Sequence, residues 1–268
     1  MMKAIEFVRD GFVLRGTEHL PNQISSSIPA IILFHGFTAN RCEFGFSFVR
    51  LAKRLETAGI AVYRFDFMGS GESDGDFSDM SVSTELEDAH AILNYVRSLE
   101  YIDSNRIGVL GMSMGGCVAS LLAGLRPHDI QSLCLWAPAG FIPDMARNGF
   151  LLGKQITEEI KESGYLPWGT LQVGMKFFTQ DINLHVYETA QKFEGSVLLV
   201  HGDKDLTVPI ETSYEYLKYY NNRAQLITIT GASHGFETLN YLALLFESQN
   251  HFLNRNYFRQ GVSCFFGA

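Results

Sequence analysis

A chain of 268 residues that is 46% hydrophobic and 13% aromatic carries enough apolar material for a buried core and does not read as disordered. Its 21 basic residues against 29 acidic ones give a formal net charge of -8, and no Lys/Arg cluster interrupts that balance, so nucleic acid is not an expected partner. The longest apolar stretches, such as residues 28–34, fall far short of a membrane span, and the N-terminus lacks the apolar core of a signal peptide, so the expectation is a cytoplasmic protein without a membrane partner.

The chain opens on a hairpin: residues 4–9 and 12–17 alternate around Asp10-Gly11, a favoured tight-turn pair. Residues 29–34 are a continuous apolar run of the kind a parallel strand shows when both its faces are buried. Phe48, Leu51, Ala52 and Leu55 recur at helical spacing up to a stop at Gly59, and 60–65 is the next strand, emptying into a glycine-rich loop at 69–75. That loop has neither dinucleotide nor Walker spacing and carries Glu72, Asp74 and Asp76, which would repel a phosphate. A long amphipathic helix is expected over 83–99, then a strand ending near 112, a small-residue helix to 125, and a strand at 132–137.

The rhythm breaks after residue 140. Residues 141–194 contain no apolar strand pattern and only scattered helical pieces, with Pro143, Pro167 and several glycines. Alternation resumes with a strand at 196–200, a helix at 210–220, a strand at 224–230 and a helix at 236–254. The division expected is a core of 1–140 with 195–256, an insertion at 141–194, and a loosely held tail at 257–268. Strands alternating with helices imply an α/β fold with a mostly parallel sheet covered on both faces, and such sheets carry function at the carboxyl ends of their strands. Four cysteines, at 42, 117, 134 and 264, show no C-x-x-C and no histidine at metal spacing, so neither disulfide, metal nor cofactor is expected.

Gly111-Met112-Ser113-Met114-Gly115 is a G-x-S-x-G pattern at a strand end, the signature of a nucleophile elbow. A serine hydroxyl needs a base within hydrogen-bond reach and an acceptor to orient that base. His234 follows the last strand and supplies the base. The preceding strand ends in His201-Gly202-Asp203-Lys204-Asp205, which offers two carboxylates. The order Ser113, Asp, His234 is that of an α/β-hydrolase. The loop resembles the H-G-x-x-D-x-x-V-P shape of hydrolases with this fold, which favours Asp205 and leaves Asp203 as a turn residue. Two backbone N–H groups must hold the developing oxyanion; Met114 follows the nucleophile, and Phe37 lies in the loop after the third strand. His35 and His201, each before a glycine at a strand end, read as holders of loop geometry.

On these residues the chain resembles α/β-hydrolases of the bacterial cinnamoyl/feruloyl esterase group, over roughly residues 3–253. The segment His35-Gly36-Phe37-Thr38-Ala39-Asn40-Arg41 is similar to that group's oxyanion loop, and Arg64-Phe65-Asp66-Phe67, residues 91–96 and Ala137-Pro138-Ala139 also look like its members. The resemblance implies Ser113 as nucleophile, Asp205 as acid, His234 as base, and Phe37 and Met114 as oxyanion donors. It implies hydrolysis of a small-molecule carboxylic ester through an acyl-enzyme, on hydroxycinnamate or other aromatic or short-chain acyl groups. It further implies that 141–194 forms a cap, with Trp168 among the aromatics walling the acyl group and Asp144 near the position of a carboxylate that binds a ring hydroxyl. Two departures stand out: the group's elbow often reads His-Ser-Gln where this chain has Met112-Ser113-Met114, and the insertion diverges. A thioesterase or lipid-active hydrolase shares the same machinery, and a non-turnover binding protein of the same fold is the reading from a different class. A serine peptidase of this fold would need a large additional domain. The sequence leaves a homodimer open.

Overall fold

The computed structural model describes residues 1–24 and 27–257. In chain order the first half runs β1 (Met2–Arg9), β2 (Phe12–His19), β3 (Ile28–Phe34), α1 (Ser47–Thr57), β4 (Ala61–Phe65), α2 (Val82–Arg97), β5 (Ile102–Met112), α3 (Met114–Leu125) and β6 (Ser132–Trp136). The inserted segment holds α4 (Ile142–Arg147), β7 (Phe150–Leu151), β8 (Lys154–Gln155), α5 (Glu158–Ser163), β9 (Tyr165–Trp168), β10 (Leu171–Gly174), α6 (Lys176–Thr179) and α7 (Val186–Ala190). The chain then returns through β11 (Ser196–Gly202), α8 (Glu211–Tyr220), β12 (Ala224–Ile229) and α9 (Leu239–Tyr257).

Eight strands form one sheet in the order β1-β2-β4-β3-β5-β6-β11-β12. The β1/β2 and β2/β4 pairs are antiparallel, and every later pair is parallel. The opening hairpin turns on Asp10 and Gly11, both at positive φ (50° and 89°), as a turn matching the right-handed strand twist requires. Side chains of β3 alternate between faces: Ala30, Ile32 and Phe34 join the larger core under α2, α3 and α8, while Ile31 and Leu33 join the smaller one under α1 and α9. A strand buried on both sides therefore shows no polar alternation, which is why 29–34 reads as an unbroken apolar run.

The chain leaves β3 for β4 on one side and later returns to β5 on the other. The carboxyl ends of β3 and β5 thus flank the point where the strand order reverses, the usual crevice for a site in an open α/β sheet. Over this end lies the insertion, which contains two small antiparallel hairpins, β7/β8 and β9/β10. Strands of two to four residues are too short to show an alternation in sequence. The insertion is tied to the core by Asp181, whose carboxylate accepts from the Val82 and Ser83 N–H groups (2.7 and 3.0 Å) at the start of α2.

The last helix departs from expectation. Phe236 sits at φ 50°, outside the helical range, and the helix starts at Leu239 after Thr238, whose Oγ1 caps it by accepting from Tyr241 N–H (3.2 Å); it runs on to Tyr257. Tyr257 is not part of a loose tail: its ring is buried and its hydroxyl bonds Ser132 Oγ at 2.7 Å, while Arg106 and Gln131 donate to the carbonyls of Tyr257 and Asn256. Residues 258–268, including Cys264, lie outside the described residues. Among the described residues no helix is long and apolar enough to cross a membrane.

Candidate active site

Ser113 stands between β5 and α3 with φ 54° and ψ -119°, a backbone state costing on the order of 1–3 kcal/mol for a residue with a side chain. The turn closes because its flanking glycines have no Cβ: one on Gly111 would lie 2.1 Å from the Gly115 carbonyl oxygen, and one on Gly115 would lie 2.3 Å from that of Phe34. The same contact presses the start of α3 against the end of β3, bringing the Met114 backbone to the loop that carries Phe37. Ser113 N–H donates to the Trp136 carbonyl (2.9 Å), and its own carbonyl accepts from Ala139 N–H (2.9 Å), so the elbow is locked to the loop after β6.

Three side chains from separate loops converge here. Ser113 Oγ lies 3.0 Å from His234 Nε2, and His234 Nδ1 lies 2.7 Å from Asp205 Oδ2. The Nδ1–H of His234 donates to the carboxylate, which leaves Nε2 as the acceptor facing the serine hydroxyl. Asp205 Oδ1 accepts from the Thr207 and Val208 N–H groups (2.9 and 2.8 Å). Oδ2 is also 3.2 Å from His201 Nε2. Burial alone would raise the Asp205 pKa, but the hydrogen bonds from His201 and His234 outweigh it and hold the carboxyl well below the usual carboxylate range. The carboxylate is thus an ionised acceptor aimed at the imidazole.

Neighbouring residues order these loops. Asp203 accepts from Gly231 N–H at 2.6 Å, joining the acid-bearing loop to the one carrying His234. His201 is fully buried, bonded through Nδ1 to Ser213 Oγ (2.7 Å) and through Nε2 to the Val208 carbonyl (2.9 Å). Its direct contact with Asp205 is not legible in sequence beyond its place in the H-G-x-x-D segment. His35 Nδ1–H donates to the Gly36 carbonyl (2.9 Å) and Nε2 accepts from Phe67 N–H (3.1 Å), and burial pushes its pKa down, keeping it neutral. It joins the loops after β3 and β4.

The Phe37 ring is met by aromatics of the insertion and the core: Trp168 edge-on at 5.3 Å, Phe77 at 5.7 Å and Phe177 at 6.3 Å between centroids. Trp168 therefore stands at the loop after β3 that carries Phe37. Phe177 and Phe178 are buried core residues, whereas Phe150 is exposed. Asp144 is placed differently. It pairs with Arg147 at 2.7 Å and lines a cavity of about 380 Å³ with His185, Tyr187, Glu188, Glu215 and Tyr219, and none of Ser113, Asp205 and His234 lines that cavity.

Comparison with known proteins places this geometry. The family model described as serine aminopeptidase, S33, a hydrolase family, matches residues 26–183. The structure of ferulic acid bound to Est1E from Butyrivibrio proteoclasticus superposes with a TM-score of 0.86 at 29% identity, covering 94% of this chain and 98% of that one. An uncharacterized 31.7 kDa protein of the traX-finO intergenic region of Escherichia coli is 39% identical over 192 residues, 71% of this chain and 65% of that protein's length. A monoacylglycerol lipase of Mycolicibacterium smegmatis is 24% identical over 207 residues, 68% of this chain and 72% of its own. The fold is that of an α/β-hydrolase resembling bacterial feruloyl esterases.

Proposed function

Because the chain belongs to the hydrolase family described as serine aminopeptidase S33, we propose that it hydrolyses carboxylic esters through an acyl-enzyme formed on Ser113. The observation that carries this reading is the continuous relay from Ser113 Oγ to His234 (3.0 Å) to Asp205 (2.7 Å) at the reversal point of the sheet. Ser113 Oγ attacks the ester carbonyl while His234 Nε2 takes its proton, and Asp205 fixes the tautomer and stabilises the imidazolium. The Phe37 and Met114 N–H groups hold the oxyanion. His234 then protonates the departing alcohol, and water repeats the attack on the acyl-enzyme to release the acid and free Ser113.

We assign the acyl side to a small aromatic group of the hydroxycinnamate kind. Likeness to a ferulic-acid-bound esterase supports this, as do the partly buried rings of Phe37 and Trp168, which meet edge to face. The likeness to a monoacylglycerol lipase favours an aliphatic acyl group as the second reading. Hydrolysis of p-nitrophenyl acetate by the wild type and by Ser113→Ala tests the chemistry, since undiminished turnover in the variant overturns it. Comparing kcat/KM for methyl ferulate, ethyl butyrate and a monoacylglycerol tests the acyl group, and a preference for either aliphatic ester overturns the aromatic assignment. Faster cleavage of an amino-acid p-nitroanilide than of any ester would make the protein a peptidase.

A further inference from the structure

Glu43 lies outside the relay yet bonds the loop that packs against Ser113. Its Oε2 accepts from Gly36 N–H at 2.8 Å, and its Oε1 accepts from Phe44 N–H at 3.2 Å. Gly36 is pressed against the nucleophile, since a Cβ there would lie 3.2 Å from Ser113 Cβ, and it immediately precedes the Phe37 N–H assigned to the oxyanion. The carboxylate also lines a cavity of about 360 Å³ bounded by Phe37, Thr38, Ala39, Asn40 and Phe44. Glu43 sits at φ 58° and ψ 169°, a region that is almost exclusively glycine's and persists only where the surroundings over-determine it. A chain that accepts such a backbone to aim this side chain is holding the carboxylate at Gly36.

We propose that Glu43 is a positioning residue that seats the loop after β3 against Ser113, so that the Phe37 N–H meets the oxyanion. This rests on the esterase reading above. Burial pushes the Glu43 carboxyl up, against the pull of the Gly36 and Phe44 N–H donors. Its part is that of an acceptor held at one backbone amide beside the nucleophile.

The test uses Glu43→Gln and Glu43→Ala, with kcat and KM for p-nitrophenyl acetate and the rate of fluorophosphonate labelling of Ser113. Glu43→Gln retains an acceptor for Gly36 N–H and is expected to hold plateau kcat within about fivefold of the wild type. Glu43→Ala frees the loop, and plateau kcat is expected to fall about 100-fold with KM within about twofold, the mark of an interaction made in the transition state. An undiminished plateau kcat in Glu43→Ala, or a loss in Glu43→Gln equal to that in Glu43→Ala, at any change in Tm, overturns the proposal. If the wild type hydrolyses no ester, the esterase reading fails, and the labelling rates of the two variants still decide whether Glu43 seats the loop at Ser113.

Discussion

Replacing Asp205 by asparagine is the most discriminating perturbation of the relay. The carboxylate takes Thr207 and Val208 N–H on Oδ1 and His234 Nδ1–H on Oδ2, with His201 Nε2 a further contact of Oδ2 at 3.2 Å. An asparagine has one carbonyl oxygen, and the two short backbone bonds claim it for the Oδ1 seat. Its amide group then points N–H at His234 Nδ1, which must become an acceptor. The proton moves to Nε2, and the nitrogen 3.0 Å from Ser113 Oγ can no longer accept the hydroxyl proton. A base locked in the wrong tautomer costs about 10⁴ in kcat, or roughly 5.5 kcal/mol of transition-state stabilisation. The assay is kcat/KM for p-nitrophenyl acetate alongside the rate of fluorophosphonate labelling of Ser113, with folding checked by Tm. Asp203→Asn is the internal control: it sits at Gly231 N–H, away from the imidazole, and is expected to stay within about tenfold of wild type. A loss of less than tenfold in Asp205→Asn, or an equal loss in both variants, would refute the tautomer reasoning.

The remaining predictions concern packing, the acyl wall and acid stability. Gly115→Ala puts a methyl group against the Phe34 and His35 carbonyls and is expected to cost about 1–3 kcal/mol or more of stability, read as a lower denaturant midpoint, together with most of the activity. Trp168→Ala opens the edge of Phe37 and should raise KM for methyl ferulate about tenfold while leaving p-nitrophenyl acetate nearly unchanged. Asp144→Asn removes a carboxylate already paired with Arg147 in a cavity without the triad, so kcat/KM for methyl ferulate should stay within about twofold; a tenfold loss would put the ring hydroxyl there. His19 is fully buried, and its burial, with the Arg64 charge, pushes its pKa down to about 4. The unfolded chain takes this proton near pH 6.5, so stability is complete above that value and is lost by about 3 kcal/mol as pH falls toward 4. His19→Gln should flatten that acid limb in pH-dependent unfolding, and an unchanged limb would remove His19 as its cause.

The parts of the site readable from sequence are those whose chemistry sits in one contiguous stretch. Ser113 is bracketed by glycines because the turn needs close backbone approach, and Asp205 and His234 follow recognisable strands, so spacing alone sets them in order. Loop shape favours Asp205 over Asp203, and in the structure Asp205 lies beside both histidines while Asp203 ties the two loops together. Contacts between separate stretches left no such trace. Nothing in the sequence around Glu43 announces that its carboxylate reaches back to Gly36, because the unusual backbone that aims it has no glycine to mark it. The insertion was opaque for a different reason: its strands have two to four residues, and it is stabilised by contacts such as Asp181 on α2 that span about a hundred positions. Tyr257 was hidden because its value lies in a hydroxyl seated beside Gly108 and Ser132, not in any periodicity of its own.

The carboxylate of Asp181 makes the roof of the site a structural member of its floor. Swinging residues 176–183 outward would strip two amide donors from the first turn of α2, a loss on the order of 1 kcal/mol for a helix cap. It would also pull Gly174 from the Ser78 carbonyl against which it is packed. The segment nearest α2 is thereby hinged shut by the same bonds that hold the helix end. Among the described residues, the β9/β10 hairpin tip, residues 168–171, has no such tie to a helix end; its Trp168 ring is held edge-on to Phe37 on one side and under Lys154 on the other. The insertion is thus anchored to the core at one end by backbone amides and at the other by ring contacts.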